Sequence, residues 1–122
     1  MARRALHHLA FRTRDLPRLA AFYRDVLCLE TRPGGREGQS VWLALGEGLL
    51  MIELADEGEP SLPEGSLELL ALRCERDETQ TFRARLDAAG VTIEATTRFT
   101  VYFRDPDGRR VALSHHPDEP LV

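Results

Sequence analysis

His8 and Glu53 are the residues of this sequence best suited to chemistry. Each lies in a short apolar segment, HLAFRT for His8 and LLMIEL for Glu53, of the kind that forms a β-strand. An imidazole nitrogen and a carboxylate oxygen are suitable ligands for a hard or borderline divalent ion. Because protein sites usually offer about four ligands, this pair predicts either no metal or a weakly held ion such as Zn, Ni, Fe or Mn. Without a metal, His8 could be a hydrogen-bonded pocket histidine and Glu53 a general base.

Arg12 is the next candidate, because it lies four residues after His8 and therefore on the same face of a strand. Its planar guanidinium suits bidentate binding of a ligand carboxylate, and the alternative is a structural ion pair with an Asp or Glu. Ligand sites are mostly apolar with few polar groups. The other strand residues predicted to line such a site are Trp42, Met51, Tyr102, Arg110 and Ser114. For Trp42, Met51 and Tyr102, the alternative is a place in the hydrophobic core.

The elements that position these residues follow from the apolar periodicity. Residues 5–13 predict a strand in which His8 and Arg12 share one face and His7 lies on the other. Asp15 then predicts a helix N-cap, Pro17 suits the first turn, and an apolar stripe follows at helical spacing. PGGREGQ predicts a loop, and SVWLALGEGLLMIELA predicts two strands joined by GEG.

The same order of elements repeats after a segment rich in proline, glycine and acids, residues 56–66. A strand over 67–74 is followed by a helix capped by Asp77 or Thr79, and then by the segments VTIEAT, TVYFR and RRVALSHH, with the turn DPDG between the last two. HPDEPLV is a tail.

Sliding one half over the other by about sixty residues places HLAFR on LLALR and MIEL on RVAL. His8 then corresponds to Leu69, and Glu53 corresponds to Ala112. We therefore predict an α+β fold, a single domain over residues 1–122 with two tandem βαβββ modules. The modules cover about 5–55 and about 67–117, residues 56–66 link them, and their curved mixed sheets form a cup for a ligand.

Three segments carry a resemblance to a known family. HLAFRTRDLPRLAAFYRDVLCLE resembles the opening strand and helix of the vicinal-oxygen-chelate superfamily of glyoxalases, bleomycin-resistance proteins and extradiol dioxygenases. GLLMIEL and YFRDPDGRRVALSHHP resemble its fourth strand and closing hairpin. The resemblance implies metal ligands on four strands, of which His8 and Glu53 are present, whereas Leu69 and Ala112 replace the other two. It also implies a homodimer and, at the position of Arg12, an arginine that holds a substrate carboxylate.

His115 and His116 lie just beyond Ala112 and could replace a missing ligand if the last strand were shifted. Regular alternation, however, points His115 away from the Ala112 face.

The composition of the chain argues against some classes of binding partner. A net charge of −4, with arginines interspersed among acids, argues against nucleic-acid binding. The N-terminal segment has no apolar run long enough for a signal peptide or membrane span, which indicates a cytoplasmic protein with no membrane partner. Cys28 and Cys74 have no metal-like spacing and are predicted to be reduced and buried.

Two functions of different classes follow. The missing ligands favour a homodimeric protein with a degenerate metal site that binds or sequesters a small organic ligand, acidic or aromatic. The alternative is a divalent-metal-dependent lyase, isomerase or dioxygenase that uses His8 and Glu53. A metal-free enzyme with Glu53 as general base is a third possibility.

Overall fold

The computed structural model describes residues 2–117 and divides into two compact units, unit 1 ending at Pro60 and unit 2 beginning at Ser61. Unit 1 contains helix α1 (Leu16–Ala21), which continues as a π-helical segment (Phe22–Val26), and four strands: β1 (His8–Thr13), β2 (Thr31–Arg32), β3 (Ser40–Leu45) and β4 (Gly48–Leu54). Unit 2 contains a 3₁₀ turn (Arg76–Glu78), helix α2 (Thr79–Ala88) and four strands: β5 (Leu69–Arg73), β6 (Ala95–Thr96), β7 (Thr100–Arg104) and β8 (Arg110–Ser114). The α+β fold with two βαβββ units is confirmed.

The two sheets have the same topology. Strand order is β1-β4-β3-β2 in unit 1 and β5-β8-β7-β6 in unit 2. In each sheet the first and last strands of the unit pair in parallel, and the remaining neighbours are antiparallel. This common arrangement supports the internal repeat inferred from the sequence.

The register corrects one detail of that repeat. Ala10, Met51 and Trp42 lie side by side in unit 1, as Ala71, Ala112 and Tyr102 do in unit 2. Met51 is therefore the counterpart of Ala112. Glu53, which pairs with Arg12, is the counterpart of Ser114, which pairs with Arg73. The predicted match of Glu53 with Ala112 is wrong by two residues, because a shift of two keeps every side chain on its face and leaves the apolar pattern unchanged.

Unit 1 is held together by apolar side chains of α1 and the π-helical segment packed on one face of the sheet. Asp15 caps α1 as predicted, its carboxylate accepting a hydrogen bond of 3.2 Å from the Arg18 amide, and Pro17 lies in the first turn. The rings of Phe11 and Tyr23 lie 5.8 Å apart and connect β1 to the helical segment. The fully buried side chains of this unit are those of Leu19, Tyr23, Leu43, Leu50 and Ile52.

In unit 2 the largest fully buried side chains come from α2, β7 and β8: Leu86, Phe103 and Val111. Asp105 follows β7, and its side chain is also fully buried. The Asp105 carboxylate accepts hydrogen bonds from the amides of Asp107 and Arg109, at 2.8 and 3.0 Å, and pairs with the Arg109 guanidinium at 3.4 Å. The DPDG segment is therefore a turn that a buried carboxylate holds closed.

Several element boundaries differ from those predicted. The first strand begins at His8 rather than at residue 5, and VTIEAT forms strand only at Ala95–Thr96. The second helical region begins earlier than predicted, with Glu75 and Glu78 forming a capping box rather than Asp77 or Thr79 acting as the cap. The tail after residue 117 lies outside the described residues.

Cys28 and Cys74 are not joined in a disulfide, and only Cys74 is buried. Cys28 is exposed because it follows the π-helical segment with a φ of 63°, which turns the chain away from the helix. The prediction that Cys28 is buried is wrong. Within residues 2–117, the helices all fall short of the length and apolar content needed to cross a membrane.

Candidate functional site

Every site residue predicted from the sequence lies on the sheet face opposite its unit's helix. We call these surfaces the helix-free faces. Strands β1, β3 and β4 of unit 1 contribute His8, Ala10, Arg12, Ser40, Trp42, Ala44, Leu49, Met51 and Glu53. Strands β5, β7 and β8 of unit 2 contribute Leu69, Ala71, Arg73, Thr100, Tyr102, Arg104, Arg110, Ala112 and Ser114. Strand alternation thus brings the candidates together within each unit.

His8 and Glu53 lie on the same face of the sheet but at different positions along the strands. His8 pairs with Leu49, whereas Glu53 pairs with Arg12. The four residues from Leu49 to Glu53 correspond to about 13 Å along a strand. Glu53 instead lies 3.9 Å from an Arg12 nitrogen. Among residues 2–117, no three His, Cys, Asp or Glu side chains form a group that could hold a metal ion. The donors of the described residues therefore do not fit the four-ligand centre that the family resemblance implies.

His7 and His8 are closer than strand alternation predicts. Their Nδ1 atoms lie 2.9 Å apart and their rings meet edge to face, with centroids 5.1 Å apart. The predicted placement of His7 on the opposite face is wrong, because the strand begins only at His8 and alternation does not extend beyond it.

Arg12 is held by acidic side chains of its own unit. Its Nε and Nη2 atoms donate to both carboxylate oxygens of Glu59, at 2.8–3.3 Å, while Asp56 and Glu53 lie at 3.5 and 3.9 Å. Arg14 adds a hydrogen bond to the Glu59 carbonyl oxygen. The bond from Arg12, with a smaller contribution from the Asp56 amide, lowers the pKa of Glu59 to about 2. In this structure Arg12 thus forms the structural ion pair considered as its alternative role.

Trp42 packs on the loop between β2 and β3. A Cβ atom added at Gly34 would overlap Cζ3 of the Trp42 ring, so the indole lies directly on this glycine. Met51 lies beside Trp42 and Ala10 and is half-buried. Trp42 and Met51 therefore contribute apolar surface to the helix-free face of unit 1, and Gly34 is the residue that allows the indole to lie there.

Arg110 and Tyr102 form the most distinctive contact of unit 2. The Arg110 guanidinium carbon lies 4.4 Å from the centroid of the Tyr102 ring, within the range of a cation–π interaction. The Arg110 Nε donates to Glu94 at 3.3 Å, and Glu94 also accepts 2.7 and 3.1 Å hydrogen bonds from Arg104. The hydrogen bond from Arg104 is the main cause that lowers the pKa of Glu94.

Arg104 and Arg110, which share Glu94, differ in how many of their guanidinium nitrogens make hydrogen bonds. Arg104 also donates to the carbonyl oxygens of Ser66 and Gly108, so both its Nε and Nη groups are engaged. Within the described residues, the Nη groups of Arg110 make no hydrogen bond, and its side chain remains 20% exposed. Arg110 can therefore still donate two parallel hydrogen bonds to an anion.

The positions that the resemblance assigns to second-half metal ligands are apolar. Ala112 is fully buried, and Leu69, which pairs with Arg110, is 43% exposed. Ser114 exchanges a 2.8 Å hydrogen bond with Thr100. His115, which lies beyond the end of β8, is buried with its ring edge-on to Phe99.

Comparisons with known proteins agree with this fold. The sequence profile of the Glyoxalase/Bleomycin resistance protein/Dioxygenase superfamily matches residues 5–113. A solved lactoylglutathione lyase from Agrobacterium tumefaciens is 26% identical, with a TM-score of 0.68 and coverage of 92% of this chain and 93% of that one. A glyoxalase/dioxygenase from Nostoc punctiforme is 19% identical, with a TM-score of 0.80 and coverage of 94% and 92%.

A third similar structure is a mutant of the fosfomycin resistance protein FosX from Listeria monocytogenes, complexed with Mn(II) and 1S,2S-dihydroxypropylphosphonic acid. It is 20% identical to this chain, with a TM-score of 0.75 and coverage of 93% and 90%. A comparison with curated protein sequences gives no match.

Proposed function

Because the chain belongs to the glyoxalase/bleomycin resistance protein/dioxygenase superfamily, we propose that it binds a small organic acid with an apolar or aromatic body. The observation that most supports this function is the Arg110 guanidinium stacked on Tyr102 with its Nη groups available. The proposed ligand carboxylate accepts both Nη hydrogen bonds, which is the geometry that makes arginine a good carboxylate receptor.

The residues around Arg110 suit the remainder of such a ligand. Leu69 lies directly opposite Arg110 on the neighbouring strand, and Ala71 follows on the same face; both are exposed. An apolar ligand body lying on Leu69 would remove apolar surface from water on both molecules. In this arrangement, the leucine at a family ligand position favours an apolar group rather than a metal ion.

Charge favours unit 2 over unit 1 for an anionic ligand. Arg104 and Arg110 share the single carboxylate of Glu94. Around Arg12, in contrast, three carboxylates lie within 4.0 Å, those of Glu53, Asp56 and Glu59. A ligand carboxylate would have to displace Glu59 to reach Arg12. The role of Arg12 as the carboxylate anchor stays a prediction, and the geometry favours Arg110 instead.

We place the proposed binding function in a cytoplasmic homodimer, as the sequence and the family resemblance predict. The alternative, a metal-dependent enzyme that uses His8 and Glu53, requires both side chains on one ion. The strand register separates them by four levels, which gives that alternative less support than ligand binding without a metal.

The experiment is a comparison of benzoate and benzamide binding by calorimetry. The wild-type protein should bind benzoate more tightly than benzamide, since only benzoate pairs with a guanidinium. Arg110→Gln should weaken benzoate binding about tenfold or more, as expected for the loss of a charge-assisted hydrogen bond. Tyr102→Leu, which removes the stacking partner, should weaken it about threefold.

Arg12→Gln is the matched control, because it removes an arginine from the equivalent face of unit 1. It should leave the benzoate affinity unchanged. Equal affinities for benzoate and benzamide, or a loss with Arg12→Gln but none with Arg110→Gln, would contradict the proposed site. Unfolding curves of all variants check that the fold is kept.

A further inference from the structure

The His7–His8 pair has the separation of two ligands on one metal ion. Two nitrogens bound to a metal at about 2.05 Å and at about a right angle lie about 2.9 Å apart, whereas a tetrahedral angle gives about 3.4 Å. The observed Nδ1–Nδ1 distance is 2.9 Å. The right angle is the geometry of tetragonal or square-planar sites, which Cu²⁺ and Ni²⁺ prefer.

The backbone holds this pair in place. The Leu49 amide donates a 3.1 Å hydrogen bond to the His7 carbonyl oxygen. Gly48 approaches so closely that an added Cβ would lie 2.8 Å from the Leu6 carbonyl oxygen and 2.9 Å from that of His7. Both imidazoles are nevertheless exposed, so a hydrated ion can reach them. Fixed backbone and accessible donors reduce the ordering cost of chelation.

We propose that the Nδ1 atoms of His7 and His8 form a two-nitrogen chelate for Cu²⁺ or Ni²⁺, with water completing the coordination. The site differs from the one that the family resemblance implies, because it uses His7 and does not use Glu53. It also shares no residue with the proposed acid-binding site, whose residues all belong to unit 2. The inference therefore does not rest on the proposed function.

Proton balance is simple in this site. In the metal-free pair, one ring donates its Nδ1 proton to the Nδ1 lone pair of the other. For both Nδ1 atoms to bind a metal, the donating ring takes the tautomer with the proton on Nε2. A pair of neutral rings binds the ion without net release of protons, and the Nδ1–Nδ1 hydrogen bond is replaced by two metal–nitrogen bonds.

The test is a Cu²⁺ titration of the full chain without a histidine tag, by calorimetry and electron paramagnetic resonance. We expect one saturable Cu²⁺ site, and we expect its electron paramagnetic resonance spectrum to show two imidazole nitrogen ligands. His7→Ala and His8→Ala should each weaken binding about tenfold or more, since each removes one of the two donors. Zn²⁺ should bind more weakly than Cu²⁺.

Two controls separate this site from others. Glu53→Gln tests the carboxylate that the family resemblance implies, and His116→Asn removes an exposed histidine of unit 2; neither should change Cu²⁺ affinity. Retained affinity in His7→Ala, a loss with Glu53→Gln, or no saturable binding would overturn the proposal. Benzoate affinity should be unchanged in His7→Ala, so that failure of either proposal is recognised separately.

Discussion

The helix-free faces of the two units have the same strand order and the same register but opposite electrostatic character. Each carries an arginine at the equivalent level of its first strand, Arg12 in unit 1 and Arg73 in unit 2. In unit 1 the arginine is surrounded by acids, and in unit 2 Glu94 is shared between two other arginines. The repeated backbone thus fixes where side chains lie, whereas residues in the connecting segments decide which charges remain available.

Glu59 and Glu94 illustrate this division. Glu59 follows β4 in an irregular segment, and Glu94 lies in the loop just before β6. Neither belongs to a strand ladder, yet each determines whether a guanidinium on the adjacent face is engaged. Duplication of a module followed by substitutions in its loops is sufficient to give two different surfaces on one architecture.

We expect the largest measurable difference between the units in the stability that each gains from the turn before its last strand. Asp105→Ala in unit 2 removes a buried carboxylate and leaves the amides of Asp107 and Arg109 without their acceptor. We expect the free energy of unfolding to fall by about 2–4 kcal/mol.

Glu47→Ala, in the corresponding two-residue turn of unit 1, is the control. Glu47 is exposed, and its truncation should change stability by less than about 0.5 kcal/mol. Urea unfolding gives both values. Equal effects of the two substitutions would show that the Asp105 hydrogen bonds add nothing to the turn.

A smaller effect is expected from the glycine beneath Trp42. Gly34→Ala places a Cβ against the indole and a side chain on a residue with a φ of 121°, so we expect a loss of about 2 kcal/mol and a shift in tryptophan emission. Gly38→Ala meets no neighbour within 4 Å and bears only the cost of a φ of 74°, about 1 kcal/mol. Since Trp42 is the only tryptophan, its fluorescence reports directly on this contact. An unchanged emission maximum in Gly34→Ala would indicate that the indole does not lie on the glycine.

The smallest effect concerns the pH dependence of unit 1. The pKa of Glu59 is lowered from 4.5 to about 2, so its ion pair with Arg12 stabilises the folded state above pH 4.5, and this contribution is lost as the pH falls towards 2. In Glu59→Gln, the unfolding midpoint should therefore decline less steeply between pH 4.5 and 2. The Glu59 side chain is half-buried and remains in contact with solvent, so the ion pair is partly screened and a small change is expected.

Glu57→Gln, an exposed neighbour in the same loop, is the control for the Glu59 measurement. It should follow the wild-type curve. Identical slopes for Glu59→Gln and the wild-type protein would mean that the Arg12–Glu59 pair does not persist in solution.

The parts of this structure that follow from periodicity were predictable. Alternation placed His8 and Arg12 on one face, and the capping residue Asp15 located the first helix. Alternation could not locate the start of the strand, and this is why the contact between His7 and His8 was missed. It also could not detect the two-residue shift that separates Glu53 from the counterpart of Ala112, because the pattern repeats every two residues.

The partners of the arginines were the least predictable part of the site. An ion pair between residues 47 positions apart, such as Arg12 with Glu59, leaves no periodic signal in the sequence. The acidic composition of residues 56–66 was the only indication that a carboxylate is available near Arg12. Glu94 had no comparable signal, since it lies in a segment that was predicted as strand.

The sharing of Glu94 by two arginines has an evolutionary consequence. Position 94 lies in a loop and makes no direct contact with a ligand in the proposed site, yet a change there to glutamine would remove the ion pairs with Arg104 and Arg110 and add one positive charge to the face. A single loop substitution of this kind would change the preference of the protein between singly and doubly charged acids, while every ligand-contacting residue stays the same. We therefore expect the residue at this position to distinguish relatives whose pockets are otherwise identical.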